Sequence, residues 1–166
     1  MDELKAAYIK KLAMALSMEE TIIEHLPVMI SSSANENLRT GLTDHLEQTR
    51  QQRQRLITIL SAYGSASLTE PDEPFAAMME QAGIEIAQME DTDVRDAIII
   101  ASAQKVEHYE MACYGTLIQW AQELDDSDAR AHLKDTLGEE KMANKKLSEI
   151  AEGGILTTGV SEKAAV

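Results

Sequence analysis

Lys105-Val106-Glu107-His108-Tyr109-Glu110-Met111 places two carboxylates one helical turn apart inside a run that otherwise reads as buried core. The run from Ile98 to Leu124 contains no proline and one glycine, Gly115. Alternating steps of four and three put Ala103, Glu107, Glu110, Tyr114, Leu117, Ala121 and Leu124 on one helix face. Two glutamates therefore occupy the stripe that should pack inward, where a lone ionised carboxylate is costly. A bound cation is the usual means of offsetting that cost. What this stretch means depends on whether other helices send acids to the same place.

The chain has 166 residues, the size of one domain, with 44% hydrophobic and 27% charged residues. Aromatics reach only 4%, and Ala, Leu, Glu, Gln, Lys and Met dominate, which favours helix nearly everywhere. A formal charge of −14 argues against nucleic acid or an anionic membrane as partner. The single cysteine, Cys113, allows no intramolecular disulfide and suits a reducing compartment. No cationic segment followed by an apolar one opens the chain, and no apolar run is long enough to span a bilayer. A soluble cytoplasmic protein is expected.

Four long helices and one short one follow from the pattern. The first covers residues 2–30, with Leu12, Leu16, Ile23, Leu26 and Ile30 on its stripe and Glu19 in the missing place. Pro27 should kink or end it. After the connection Ser31-Ser32-Ser33, Asn35 or Ser33 can cap a second helix reaching about residue 62. Leu38, Leu42, Leu46, Thr49, Leu56 and Leu60 mark its buried side, flanked by Glu47 and Arg50. Residues 65–74, rich in Ser, Thr, Pro and Asp, form an irregular connector. A shorter amphipathic helix over residues 75–89 carries methionines at core spacing, which read as gap-filling side chains. Asp91-Thr92-Asp93 caps the third long helix, and Asp125-Asp126-Ser127-Asp128 leads into the last, residues 128–151. Leu133, Leu137 and Leu147 define the final stripe, interrupted by Glu140 and Asn144. The fold expected is all-α: two helical hairpins joined by a long crossover containing a short helix, the ferritin-like form of the four-helix bundle. The bundle should span residues 1–152, with residues 153–166 a loose tail.

The acids that interrupt these stripes are Glu19, Glu47, Glu107, Glu110 and Glu140, each near the middle of its helix. Five acids converging from four helices would repel one another unless protonated or bound to cations. Oxygen-rich sites suit iron or manganese, and bridging carboxylates suit a pair of ions. A di-iron bundle draws a Glu-x-x-His from two helices. Here the matching positions read Glu47-Gln48-Thr49-Arg50 and Glu140-Lys141-Met142-Ala143, with no histidine in either. The second carboxylate of Glu107-x-x-Glu110 can replace one missing ligand, whereas Arg50 would repel a cation and pair with Glu47 or another core acid instead. His25, His45, His108 and His132 read as surface or hydrogen-bonded residues.

Several segments resemble the YciF-like branch of the ferritin-like superfamily. They are Leu26-Pro27-Val28-Met29, His45-Leu46-Glu47-Gln48-Thr49, Val94-Arg95-Asp96-Ala97, Ala103 through Glu110, Tyr114-Gly115-Thr116-Leu117 and Leu137-Gly138-Glu139-Glu140-Lys141. The resemblance implies a homodimer in bacterial cytoplasm, linked to stress responses and holding a two-metal centre. Glu19, Glu47, Glu107, Glu110 and Glu140 match the ligands that it implies, while Arg50 and Asn144 depart from the histidine and aspartate of the family pattern. Glu107-x-x-Glu110 followed by Glu140 is also similar to the rubrerythrin arrangement, in which di-iron reduces peroxide, but no Cys-x-x-Cys pair accompanies it. Two functional readings remain open. One is a core site for one or two iron or manganese ions, reactive toward peroxide or oxygen. The other is a non-catalytic bundle in which Arg50 balances the core acids and function lies in assembly or partner binding.

Overall fold

The computed structural model describes residues 2–154 and 157–165. Its elements are α1 (Asp2–Ser32), α2 (Glu36–Ala62), α3 (Glu73–Gln88), α4 (Thr92–Glu123), α5 (Ser127–Glu152), β1 (Gly153–Gly154), β2 (Thr157–Thr158) and α6 (Val160–Lys163). Helices α1 and α2 pack as one hairpin and α4 and α5 as the other; α1 also meets α4, and α2 meets α5. The crossover carries α3 along α1 and α4. This is the ferritin-like four-helix bundle, and among the described residues no helix is long and apolar enough to cross a membrane.

Each long helix presents a stripe spaced four and three residues apart. In α1 the buried series is Tyr8, Leu12, Ala15, Glu19, Ile22, Leu26 and Met29. In α2 it is Leu38, Leu42, His45, Thr49, Gln52, Leu56 and Ile59. In α4 it includes Ala103, Glu107, Glu110, Tyr114, Leu117 and Ala121, and in α5 Ala129, Leu133, Thr136, Glu140 and Leu147. Such a repeat keeps one seam facing the bundle axis over many turns. The polar members sit mid-helix, with apolar layers above and below, so the bundle brings them to one level.

The helix ends are set by short polar side chains. Asn35 Oδ1 accepts from the amides of Asn37 and Leu38, and Asp91 Oδ1 from those of Asp93 and Val94. Asp126 caps α5 through the Ala129 amide and also accepts from the Tyr63 hydroxyl at 2.6 Å, tying the end of α2 to the α4–α5 turn. Pro27 does not end α1, which runs on to Ser32. Buried Asp96, from α4, accepts from the Ala34 and Asn35 amides at 2.9 and 2.7 Å and so holds the α1–α2 turn across the bundle. Asp96→Ala should cost about 2–3 kcal/mol in chemical denaturation, because two amides lose a charged acceptor. Asp96→Asn, which keeps one acceptor oxygen, should cost roughly half as much.

The expected loose tail is instead folded back over its described part. Gly153 and Gly154 pair antiparallel with Thr158 and Thr157, and Val160 is buried where α6 meets α4 and α5. A Cβ at Gly159 would lie 2.4 Å from the Ala151 carbonyl oxygen, so only glycine lets the chain pass the end of α5 this closely. Ile155, Leu156 and Val166 of that tail lie outside the described residues.

Candidate metal centre

At the central level of the bundle, ligand atoms from His45, Glu107, Glu110 and Glu140 all lie within 4.8 Å of one another. All four side chains are buried; Glu110 and Glu140 have no solvent exposure. Glu19, fully buried on α1, faces Glu110 and completes the ring of acids. Of the five glutamates expected from the sequence, the structure brings four together.

Glu47 is not among them. Its side chain is 62% exposed, and its Oε2 accepts from Arg50 Nη1 at 3.2 Å on the outer face of α2. Arg50 is itself 55% exposed, so it does pair with Glu47, one of its expected partners, but on the surface of one helix and not in the core. The reason is register. Glu47 and Arg50 lie beside the four-three stripe of α2, while His45, Thr49 and Gln52 lie on it. The inward pair at ligand spacing is Thr49-x-x-Gln52, and the histidine that approaches the cluster is His45, one turn earlier. Exposed pairs of this kind contribute little. Arg50→Ala should change stability by about 0.5 kcal/mol or less in urea unfolding. A buried guanidinium pair would have cost roughly 3–5 kcal/mol.

The other histidines stay out of the centre. His25 and His108 place Nδ1 against the carbonyls of Thr21 and Gln104 in their own helices, and His132 lies half-buried near the start of α5. Cys113 is half-buried, with its thiol pushed up to about 11 by burial and by Asp72, as suits an inert side chain.

Gln52, Arg55 and Tyr114, to which the sequence assigned no role at the site, hold the acids in place. Gln52 Nε2 donates to Glu140 Oε1 and, at 3.0 Å, to Glu139 Oε2. Arg55 then grips Glu139 with both terminal nitrogens, at 2.6 and 2.8 Å. On the opposite side, the fully buried Tyr114 hydroxyl donates to Glu19 Oε1. The remaining oxygens are left over. Glu19 Oε2, Glu107 Oε2, Glu140 Oε2 and both oxygens of Glu110 meet no donor, and neither ring nitrogen of His45 has a partner. His45 Nε2 is 3.5 Å from Glu107 Oε1, too long for a good hydrogen bond.

Burial dominates the titration of this group. It raises Glu107 to about 10, helped by Glu140 and Glu19, and it drives Glu19 and Glu110 well above the carboxylate range. Glu140 is raised by burial to about 7, with the neighbouring Glu107 carboxyl and the hydrogen bond from Gln52 acting against the rise. Burial lowers His45 to about 4, leaving its imidazole neutral and free to ligate. Burial also acts to raise Glu139, but the hydrogen bonds from Arg55 and Gln52 outweigh it and keep this flanking carboxylate ionised. Without a cation, burial favours the protonated form of Glu19, Glu107 and Glu110, with Glu140 titrating near neutrality.

Fold and site together define a ferritin-like bundle with a carboxylate-rich core. The chain belongs to the family described as a domain of unknown function, DUF892, which matches residues 3–159. This is the YciF-like branch. Protein YciF of Escherichia coli (strain K12) is 34% identical over 152 residues, covering 91% of this chain and 92% of that protein. The structure of YcfI from Rhodopseudomonas palustris matches with a TM-score of 0.86 and 37% identity, over 89% of this chain and 94% of that one. The crystal structure of the E. coli stress protein YciF matches with a TM-score of 0.83 and 33% identity, over 90% of this chain and 94% of that one.

Proposed function

We propose that the protein is a stress-associated, metal-binding bundle in which His45, Glu107, Glu110 and Glu140 hold an iron or manganese ion. Glu19 is the further acid available to a second ion. The carrying observation is the convergence of buried ligand atoms that have no partner in the protein, since native interiors rarely leave such atoms unsatisfied. Three carboxylates and one neutral imidazole form a donor set suited to iron or manganese. The link to stress rests on similarity to the E. coli stress protein YciF. Assembly as a homodimer belongs to the same reading, and sizing chromatography tests it.

When bound, such an ion would supply electron exchange with peroxide or oxygen. The chain's own residues provide orientation and shelter. Gln52 fixes Glu140, Tyr114 fixes Glu19, and Arg55 fixes Glu139, which in turn accepts from Gln52. Apolar layers above and below shield the acids along the bundle axis, leaving an approach between α2 and α5 past His45 and Glu107.

One observation favours a second reading. Thr49 and Gln52 fill the α2 positions where a Glu-x-x-His set would carry its two ligands, and protons alone can neutralise the acids. The protein would then act by assembly rather than by metal chemistry. Metal analysis after anaerobic reconstitution with ferrous or manganous ion separates the two. The metal reading expects at least one ion per chain, lost in Glu110→Ala and kept in Arg50→Ala. No stoichiometric uptake would leave only the assembly reading.

A further inference from the structure

A groove of about 420 Å³ runs between α2 and α5 from the surface to the core cluster, with His45 and Glu107 in its lining. Its volume falls in the range of small-molecule sites, roughly 300–1,000 Å³. Leu42, Leu147 and Ile150 give it apolar walls, and Ala143 and Met142 line it on the α5 side. At its inner end both ring nitrogens of His45 and Oε2 of Glu107 are buried without partners. An apolar channel ending on unsatisfied, buried polar atoms is a built recognition site, not a packing fault.

Charge selects what fits. The lysines along the groove are already engaged: Lys146 pairs with Asp44 at 3.0 Å and Lys145 with Glu149 at 3.7 Å. An anionic head would therefore meet no free cation and would approach a cluster of carboxyl groups on a chain of net charge −14. The ring nitrogens of His45 and Oε2 of Glu107, all without partners, can together pair with a hydroxyl-type head, which both donates and accepts.

We infer that this groove binds a small neutral molecule with an apolar body and one hydroxyl-type head, an alcohol or hydroperoxide, whose head meets His45 and Glu107. The Asp44–Lys146 pair lies at the mouth, and Met142, 69% exposed, lines the groove. The head site shares His45 and Glu107 with the proposed ion, so head and ion compete for them, while the apolar walls lie outside the acid cluster.

The test uses the full-length, metal-free chain with carbon-13-labelled methionine methyls, titrated with octan-1-ol and separately with octanoate. Octanol should shift the Met142 resonance saturably while Met14, which lines a different cavity, stays put. Octanoate should bind about tenfold more weakly or worse, the cost of an unpaired charge near the acids. Ala143→Trp, at a partly exposed position, should fill the groove and abolish binding while leaving the helical circular dichroism intact. His45→Phe should weaken octanol about tenfold by removing the head's partner. Absence of a saturable shift, octanoate binding as tightly as octanol, or undiminished binding in either variant overturns the inference. So does a Met142 shift on protein dilution without ligand, which would show a second copy covering the groove. Because no metal is added, octanol binding is read separately from ion uptake, and failure of one experiment is distinguishable from failure of the other.

Discussion

Metal-free protein should lose about 3 kcal/mol of folding stability between pH 7 and pH 9 from Glu107 alone, where most globular proteins are nearly flat. The folded pKa of Glu107 is raised to about 10 by burial, while in the unfolded chain it titrates near 4.5. Below pH 4.5 both states hold the proton, and this contribution to stability is fully present. Above it the unfolded chain releases the proton and the folded chain keeps it, so stability falls by about 1.4 kcal/mol per pH unit until the folded pKa is passed. Glu140 adds to the loss only up to about pH 7, and Glu19 and Glu110 add to it over a wider range. His45, depressed to about 4, works the other way, but only below its unfolded pKa of 6.5. Above neutrality the carboxyls act unopposed. Urea unfolding at several pH values, with chelator present, measures the slope. Glu107→Gln keeps the shape and removes the titration, so it should flatten the slope and be more stable than the parent at pH 9. An unchanged slope in that variant would mean the acid is solvated and ionised in the folded protein.

Fold and site were legible in the sequence to different degrees, and the difference has a physical origin. Helix caps and breaks are local events. Asn35, Asp91 and Asp126 cap the helices from within the segments where such residues cluster, and Gly64, with φ of +68°, follows α2 as a glycine after a helix should. The two-hairpin topology follows from the connector between α2 and α4, too long for a simple helix–helix turn. Glu107, Glu110, Glu19 and Glu140 were readable because each replaces an apolar residue in an otherwise apolar stripe. In α2 the signal was weaker, because three of the seven stripe members, His45, Thr49 and Gln52, are polar. A reading anchored on leucines jumps from Leu46 to Thr49 to Leu56 and admits neighbouring acids. Holding strictly to steps of four and three from Leu38 selects His45 and Gln52 and rejects Glu47 and Arg50. The roles of Tyr114 and Gln52 carry no local signal, since they depend on which helices face each other. The docked tail was hidden for the same reason: its seat is the far end of α5, seen only once Gly159 is found against the Ala151 and Glu152 carbonyls.

Excess ferrous or manganous ion should raise the melting temperature of the metal-free protein by roughly 5–10 °C at neutral pH. Free ion at 100 times its dissociation constant stabilises by about 2.7 kcal/mol, and each kcal/mol moves the midpoint of a chain this size by about 2–4 °C. The shift should also depend on pH in a particular sense. Ligation needs deprotonated carboxylates, and Glu107 holds its proton up to about 10 and Glu140 up to about 7. Each proton displaced makes binding about tenfold tighter per pH unit below the pKa concerned, so the shift should shrink or vanish near pH 5.5. His45 contributes no proton, being neutral already above about 4. Calorimetry in buffers of different ionisation enthalpy counts the protons released. Glu110→Gln, which keeps the packing but removes a ligand oxygen's charge, should abolish most of the shift, whereas Glu47→Gln on the outer face should leave it intact. The opposite pattern would put the metal on the surface of α2 and leave the buried acids to their protons. The two pH effects also constrain each other: a bound ion would be held by replacing the same protons whose retention stabilises the metal-free fold at low pH. A protein in which metal binding grew stronger while metal-free stability stayed flat would have its ligands somewhere other than this core.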